Sequence, residues 1–153
     1  MARRFHLQSL LDLAQNHTDA AGRHLHQLKM KWNEAEEKLG QLQAFREEYR
    51  LRYQHASSQG ISVAALRDFQ VFLGKLEEAI TLQFKEVEQC RARWEDGQHA
   101  WMEQRRKLNA YDTLSKRHHK AEQRRESKQE QKQQDEYSSQ SFTRRPKSDE
   151  GSD

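Results

Sequence analysis

The residues most able to do chemistry in this sequence are eight histidines and a single cysteine. Two pairs of histidines lie close together in the chain, His24 with His26 and His118 with His119. Residues one or two apart point to different faces of a helix, whereas chelation of a metal from one helix needs residues three or four apart. We therefore interpret these histidines as surface residues and predict no metal site.

Motifs for catalysis or cofactor binding do not appear elsewhere in the sequence. The glycines stand apart from one another, so the chain has no glycine-rich loop that could cradle a phosphate. Cys90 falls on an apolar repeat described below, which is typical of an inert core thiol rather than a nucleophile. We predict no catalytic residue, no cofactor and no enzymatic activity.

The composition narrows the class of protein. Only 33% of the 153 residues are hydrophobic and another 33% are charged, with a mean hydropathy of -1.26. No stretch approaches the ~20 apolar residues that span a bilayer, and the N-terminus lacks the apolar run of a secretory signal. One cysteine fits a reducing compartment. The missing signal and the single cysteine predict a cytosolic protein. Six glycines and one proline are few for this length, which favours long uninterrupted helices.

Hydrophobic periodicity is the strongest signal in the N-terminal part. Alternate steps of four and three residues from Leu7 reach mostly apolar side chains, with Thr18 and Arg46 the polar ones. A repeat of about 3.5 residues held over about seven heptads predicts a coiled-coil seam. The predicted seam consists of Leu7, Leu11, Ala14, Thr18, Ala21, Leu25, Leu28, Trp32, Ala35, Leu39, Leu42, Arg46, Tyr49, Tyr53 and Ala56.

A second seam follows the only cluster of turn residues, at 57–62. Gly60 suits a helix C-terminus and Ser62 suits the N-cap of the next helix. The second seam consists of Leu66, Phe69, Leu73, Leu76, Ile80, Gln83, Val87, Cys90, Trp94, Gly97, Trp101, Gln104, Leu108 and Tyr111, and it weakens at Ser115 and His118.

Two long helices and a short loop predict an all-α fold, an antiparallel coiled-coil hairpin. We predict helix one over about 4–56, the turn over 57–62 and helix two over about 63–134, so that the hairpin domain spans 1–137. Residues mirrored about this turn place Trp101 opposite the stretch from Ala14 to Ala21, Trp94 near Ala21 and Leu25, and Trp32 against Val87 and Cys90. Pairing of bulky with small residues favours this register over a parallel dimer, which remains an alternative.

The C-terminal part has no apolar stripe. Residues from about Leu114 onward are expected to lack a partner on helix one, and the polar stretch 116–134 reads as a helical overhang that frays near Gln134. The composition of residues 138–153 predicts a disordered tail.

Charge is unevenly distributed along the predicted hairpin. Residues 1–31 carry five basic and two acidic side chains and residues 103–132 carry ten and five, whereas residues 34–96 carry nine and twelve. The end with both termini is therefore basic. A solvated coiled-coil surface that binds no partner can show the same charge pattern. A basic-region helix that binds nucleic acid is an alternative, but acidic residues interleave with the cations and no aromatic residue stands between 112 and 136 for stacking.

One edge of the seam near the turn is unusually apolar. Phe45 and Phe72 occupy g positions and become neighbours across the antiparallel pair, as do Lys38 and Ala79, whereas the opposite edge is polar apart from Phe84. The two phenylalanines either extend the core or form an exposed patch, and exposed aromatic clusters typically bind a partner.

The order of these features resembles a known family. The segments Ala35–Leu39 and Glu48–Arg50, the turn before Phe69–Leu73, and Leu76–Ile80 followed by Trp101–Leu108 are similar to the flagellar export protein FliJ family. The resemblance covers roughly residues 7–115. It implies a soluble, non-enzymatic coiled-coil component of the bacterial flagellar type III export apparatus.

The resemblance also implies partners. Members of the family associate with the hexameric flagellar export ATPase, the cytoplasmic domain of the export gate, and export chaperones, which would hold the protein at the cytoplasmic face of the inner membrane. No small-molecule substrate and no nucleic acid are expected. The implied gate-binding set is Lys38, Leu42, Phe45, Tyr49, Phe72, Leu76, Ala79 and Gln83. The basic end, with Arg3, Arg4, Arg105, Arg106 and Lys107, is expected to meet the ATPase ring. The stalk protein of a virulence-type secretion system is an alternative.

Overall fold

The computed structural model describes residues 3–144, which contain two α-helices and no strand. Helix α1 spans Gln8–Gln59 and helix α2 spans Val63–Thr143. The two helices pack against each other in antiparallel directions, which confirms the predicted helical hairpin. Neither helix contains an apolar stretch long enough to cross a membrane.

The turn between the helices forms as its residue types predict. Gly60 adopts a positive φ of 83°, a conformation that costs residues with a Cβ atom roughly 1–2 kcal/mol. The Oγ atom of Ser62 accepts a hydrogen bond of 3.1 Å from the amide of Ala65, which is the N-cap interaction. These two residues end α1 and begin α2.

The helix bounds differ from the predicted ones at three places. Helix α1 begins at Gln8 rather than at about residue 4, since residues 3–7 are not helical. Helix α1 continues through Ser57 and Ser58 to Gln59, because serine tolerates a helix and only Gly60 leaves it. Helix α2 continues past Gln134 to Thr143, so residues 138–143 are helical where the composition predicted disorder. No glycine or proline interrupts that stretch. The rest of the predicted tail, residues 145–153, lies outside the described residues.

The chain divides into two compact units, which are taken one at a time. The unit formed by residues 15–106 contains the turn and most of the two seams. Every seam position predicted within it is buried or half-buried. At its centre Ala35, Val87 and Cys90 form a buried cluster against which Trp32 and Leu39 pack, which agrees with the prediction that Trp32 lies in the region of Val87 and Cys90.

The register in this unit is shifted from the predicted one by about one helical turn. Trp94 packs on Trp32 with ring centroids 5.3 Å apart, two turns further along α1 than Leu25. Trp101 lies beside Gly22, just beyond the stretch from Ala14 to Ala21 that was predicted for it. The reason is that α1 ends later than predicted, at Gln59, so that the loop is centred on Ile61. When the centre of a hairpin moves by one residue, the partner of each residue on the facing helix changes by two positions.

The second unit is formed by residues 3–14 and 107–144 of the described chain. Residues from Leu114 onward were predicted to lack a partner on helix one, but His118 and Glu122 have a partner in the segment that precedes α1. Ser115 and Glu122 are buried and His118 is half-buried, because the segment before α1 packs on them. Phe5 is buried, with its ring centroid 5.5 Å from that of His118. Beyond Glu122, every described side chain of α2 is exposed.

Candidate partner-binding surfaces

Phe45 and Phe72 meet at one edge of the hairpin near the turn. Their ring centroids are 6.1 Å apart at an interplanar angle of 81°, an edge-to-face arrangement that aromatic pairs prefer. Each residue retains 41% of its exposure, so neither ring is folded into the core. Tyr49 contacts both rings, with its centroid 4.6 Å from that of Phe72 and 6.5 Å from that of Phe45. We call Phe45, Tyr49 and Phe72 the aromatic edge.

The aromatic edge is continuous with the seam. Tyr49 also contacts Phe69, at 5.1 Å between centroids, and Phe69 contacts Tyr53 at 5.3 Å. Rings held on several sides by other rings lose little conformational freedom when a partner binds. The edge is therefore a pre-organised apolar surface rather than two isolated exposed side chains.

Two members of the implied gate-binding set are buried in the seam. Leu76 is buried at a seam position. Gln83 is also buried, and its side-chain amide donates a hydrogen bond of 3.0 Å to the carbonyl oxygen of Ala35 across the helix pair. A buried amide without a partner would cost about 1–3 kcal/mol, so this bond makes a polar residue compatible with the seam. Leu76 and Gln83 thus belong to the packing between the helices and do not face solvent.

The remaining members of that set are at least partly exposed. Lys38 is exposed, while Leu42 and Ala79 are half-buried. Besides Tyr49, five members of the set have a side chain that a partner could reach at least in part. They are Lys38, Leu42, Phe45, Phe72 and Ala79.

The opposite edge of the hairpin is ionic. Arg50 forms an ion pair of 3.0 Å with Glu77 of the other helix and one of 3.4 Å with Glu47, and Arg46 lies 3.8 Å from Glu77. Exposed pairs of this kind contribute about 0–1 kcal/mol. A cavity of about 210 Å³ opens beside them, lined by Tyr49, Arg50, Tyr53, Phe69, Gln70 and Leu73. The two edges therefore present different chemistry to a partner.

The basic residues expected to meet the ATPase fall in both units, and each is described within its own. In the unit 15–106, the guanidinium of Arg105 lies 5.1 Å from the ring centroid of Trp101, and Arg106 forms an ion pair of 3.4 Å with Glu103. In the other unit, Arg3, Arg4 and Lys107 are exposed.

The backbone of Arg3 is fixed against α2. Its amide donates a hydrogen bond of 3.3 Å to Oε2 of Glu122, and its carbonyl oxygen lies 2.7 Å from Nε2 of His118. Sequence reasoning missed both partners because they are polar. The four-and-three stepping does continue from Ser115 through His118 to Glu122, and that spacing, together with a large apolar residue at Phe5, was the available signal.

The histidines and the cysteine carry no chemistry that the geometry supports. Across residues 3–144, no three histidine, cysteine, aspartate or glutamate side chains come together in a way that could hold a metal ion. Cys90 is buried, and burial together with its hydrogen bond to Glu86 raises the pKa of the thiol. A thiol with a raised pKa is a poor nucleophile.

Comparison with known proteins assigns the chain to a family. A family model described as "Flagellar FliJ protein" matches residues 3–147. The chain belongs to this family. It is 30% identical over 147 residues to the flagellar FliJ protein of Escherichia coli (strain K12), which covers 96% of this chain and all of that relative. It is 29% identical to the flagellar FliJ protein of Salmonella typhi, with the same coverage. The flagellar FliJ family is the one that the order of turn, aromatic segment and basic segment resembled.

Proposed function

We propose that this protein is a non-enzymatic coupling protein of the bacterial flagellar type III export apparatus. In this role it links the hexameric export ATPase, the cytoplasmic domain of the export gate and export chaperones. It acts in the cytoplasm, held through these proteins at the inner-membrane face of the flagellar base, and it is needed for flagellum assembly and hence for motility. Both reported relatives are flagellar, which favours this proposal over a stalk in a virulence-type system.

The observation that carries the proposal is the aromatic edge. A solvent-facing pair of phenylalanines, stiffened by Tyr49, is a costly feature for a coiled coil unless a partner covers it. Its residues coincide with positions at which the family resemblance implies contact with the export gate. Truncation of an aromatic side chain in such a patch often costs about 2 kcal/mol or more of binding free energy.

The experiment is a binding measurement with the purified full chain and the cytoplasmic domain of the gate. The variant Phe45→Ala/Phe72→Ala should remain helical and lose at least about tenfold in affinity, since truncation removes apolar area from the contact. The same variant should fail to restore motility to cells that lack the protein.

A matched control is available in Phe84→Ala. Phe84 is 56% exposed and lies on the polar edge, so its loss should leave gate binding and motility unchanged. Normal gate binding by the folded Phe45→Ala/Phe72→Ala variant would refute the proposed role of the aromatic edge.

The second part of the proposal is that the basic end meets the ATPase ring. The variant Arg105→Glu/Arg106→Glu/Lys107→Glu should weaken binding to the purified ATPase and make the remaining binding less sensitive to salt, because exposed charges act through screened electrostatics. Arg67→Glu/Lys75→Glu/Lys85→Glu, which reverses three exposed charges in the acidic part of the chain, is the control. Equal loss in both variants would show only an effect of net charge.

A further inference from the structure

The segment before α1 is held on α2 by backbone and side-chain contacts, although it is not part of either helix. We call residues 3–7 the clasp. Its amide at Arg3 donates to the carboxylate of Glu122, and its carbonyl at Arg3 accepts from His118. Since a carbonyl oxygen only accepts, Nε2 of His118 carries the proton in this contact. The clasp leads into α1 through a turn in which the amide of Gln8 bonds to the carbonyl of Phe5 at 3.1 Å.

Phe5 anchors the clasp. Its exposure is 6%, in a region where the facing seam residues are Ser115 and His118 rather than apolar ones. The ring lies against the imidazole of His118 at 5.5 Å between centroids. Burying a phenylalanine side chain is favourable and offsets part of the entropy cost of ordering the segment.

Glu122 is the unusual member of this arrangement. It is a buried acidic residue in a stretch of α2 whose following residues are all exposed. A carboxylate removed from water is costly unless hydrogen bonds or charges compensate it. Here one oxygen accepts from the Arg3 amide and the other lies 3.4 Å from Arg125. The carboxylate therefore faces a backbone donor on the clasp and a guanidinium on its own helix.

The clasp fixes the position of two cations. Arg3 and Arg4 belong to it, and the side chain of each is exposed. If residues 3–7 were free, a partner that binds these arginines would have to order the segment first, which costs backbone conformational entropy. A closed clasp meets that cost before the partner arrives.

We propose that Glu122 is a positioning residue that closes the clasp and thereby presents Arg3 and Arg4 to an acidic surface of the export ATPase. This inference rests on the proposed function, because it takes the ATPase as the partner of the basic end. Glu122 makes no contact with the ATPase itself in this proposal. It acts through the backbone of Arg3.

The first measurement is hydrogen exchange of the full chain without any partner. Glu122→Ala removes the acceptor of the Arg3 amide and should raise the exchange of amides in residues 3–8, while amides in 15–106 keep their protection. Glu126→Ala is the control, since it removes the same charge from an exposed position one turn further on and should change neither region. Glu122→Gln keeps an oxygen acceptor and should restore most of the protection.

The second measurement is the affinity of the same variants for the purified export ATPase. Glu122→Ala should weaken binding about fivefold to tenfold, and Arg4→Ala should weaken it in the wild-type background. In the Glu122→Ala background, Arg4→Ala should have little further effect, because an unpositioned arginine contributes little to start with. Such coupling in a double-mutant cycle is not expected of a residue that only stabilises the fold.

The outcomes separate the two proposals. Unchanged exchange in Glu122→Ala, or an opened clasp with unchanged ATPase affinity, would overturn the positioning role and leave the proposed function intact. Additive effects of Glu122→Ala and Arg4→Ala would overturn it as well. If the wild-type chain does not bind the ATPase, the proposed function of the basic end fails, whereas the exchange data still report whether Glu122 closes the clasp.

Discussion

Gly97 of α2 lies directly against Leu28 of α1. A Cβ atom built on Gly97 would stand 2.5 Å from Cδ1 of Leu28 and 3.6 Å from Cδ1 of Leu25. Gly97 and Leu28 are both buried, so the leucine side chain has little room to move aside. The glycine at this seam position is thus what lets a leucine from the facing helix pack fully between the two backbones.

The substitution Gly97→Ala should therefore destabilise the protein. Alanine favours a helix over glycine by about 1 kcal/mol, but overpacking a close contact costs typically 1–3 kcal/mol. Gly74→Ala is the matched control, because the same change on the same helix meets open space and should stabilise by up to about 1 kcal/mol. Chemical denaturation of both variants gives the comparison, and equal stabilisation by the two would contradict the packing described.

A charge placed in the seam should unfold the hairpin. Leu28→Asp and Ile80→Asp each bury an unpaired carboxylate, at a cost of several kcal/mol. Circular dichroism should show loss of helix and of a cooperative melt. Leu51→Asp, at an exposed site, should leave the melting temperature nearly unchanged.

Leu76→Ala and Phe72→Ala should separate packing from surface within the implied gate-binding set. Leu76 is 6% exposed and Phe72 is 41% exposed. We expect Leu76→Ala to lower the free energy of unfolding by about 2–5 kcal/mol and Phe72→Ala to lower it by clearly less than the 3–5 kcal/mol typical of a buried phenylalanine. A larger loss for Phe72→Ala in urea denaturation would mean that its ring belongs to the core.

The thiol of Cys90 should be unreactive and should make stability fall at alkaline pH. Burial and the bond to Glu86 raise its pKa above the ordinary value of 9.0, so the folded protein keeps the proton where the unfolded chain has lost it. The resulting stabilisation is complete below pH 9.0 and is lost as the pH rises through the folded pKa. Above that pH, the free energy of unfolding from denaturation curves should fall more steeply with pH in the wild type than in Cys90→Ala. Rapid labelling of the native thiol at neutral pH would contradict the buried site.

Removal of the N-cap at the turn should cost a moderate amount of stability. Ser62→Ala deletes the oxygen that accepts from the Ala65 amide, which we expect to cost about 1 kcal/mol. Ser57→Ala, an exposed serine inside α1, serves as the control and should have a small effect. The difference between the two free energies of unfolding is the quantity to measure.

Most of the hairpin could be predicted from sequence because a seam depends on spacing and side-chain type. Polar residues such as Thr18 and Gln83 fall on the repeat, and both are buried there. The spacing alone could not show how Gln83 is accommodated, since its bond goes to a backbone carbonyl and backbone acceptors leave no trace in side-chain patterns. The positions of Phe45 and Phe72 at one edge were likewise predictable from spacing, whereas spacing alone left open whether the two rings fold into the core or stay exposed as they do.

The register and the clasp were harder to predict for separate physical reasons. The shift in register comes from the end of α1, where serines at 57 and 58 are compatible with either helix or turn. The clasp is held by backbone groups of Arg3 and by polar partners on α2. An apolar pattern reports neither kind of interaction.

The loop centred on Ile61 has a consequence for how such a chain can change in length during evolution. The two helices run in opposite directions from one loop. Removing a heptad from α1 alone would therefore give every α1 residue on the far side of the deletion from the loop a different partner on α2. Only paired deletions, one in each helix at matching distances from the loop, would preserve contacts such as Leu28 with Gly97. The exposed stretch of α2 after Glu122 is free of this pairing rule. Length differences among homologues should therefore occur either as compensated pairs within the hairpin or singly in that stretch.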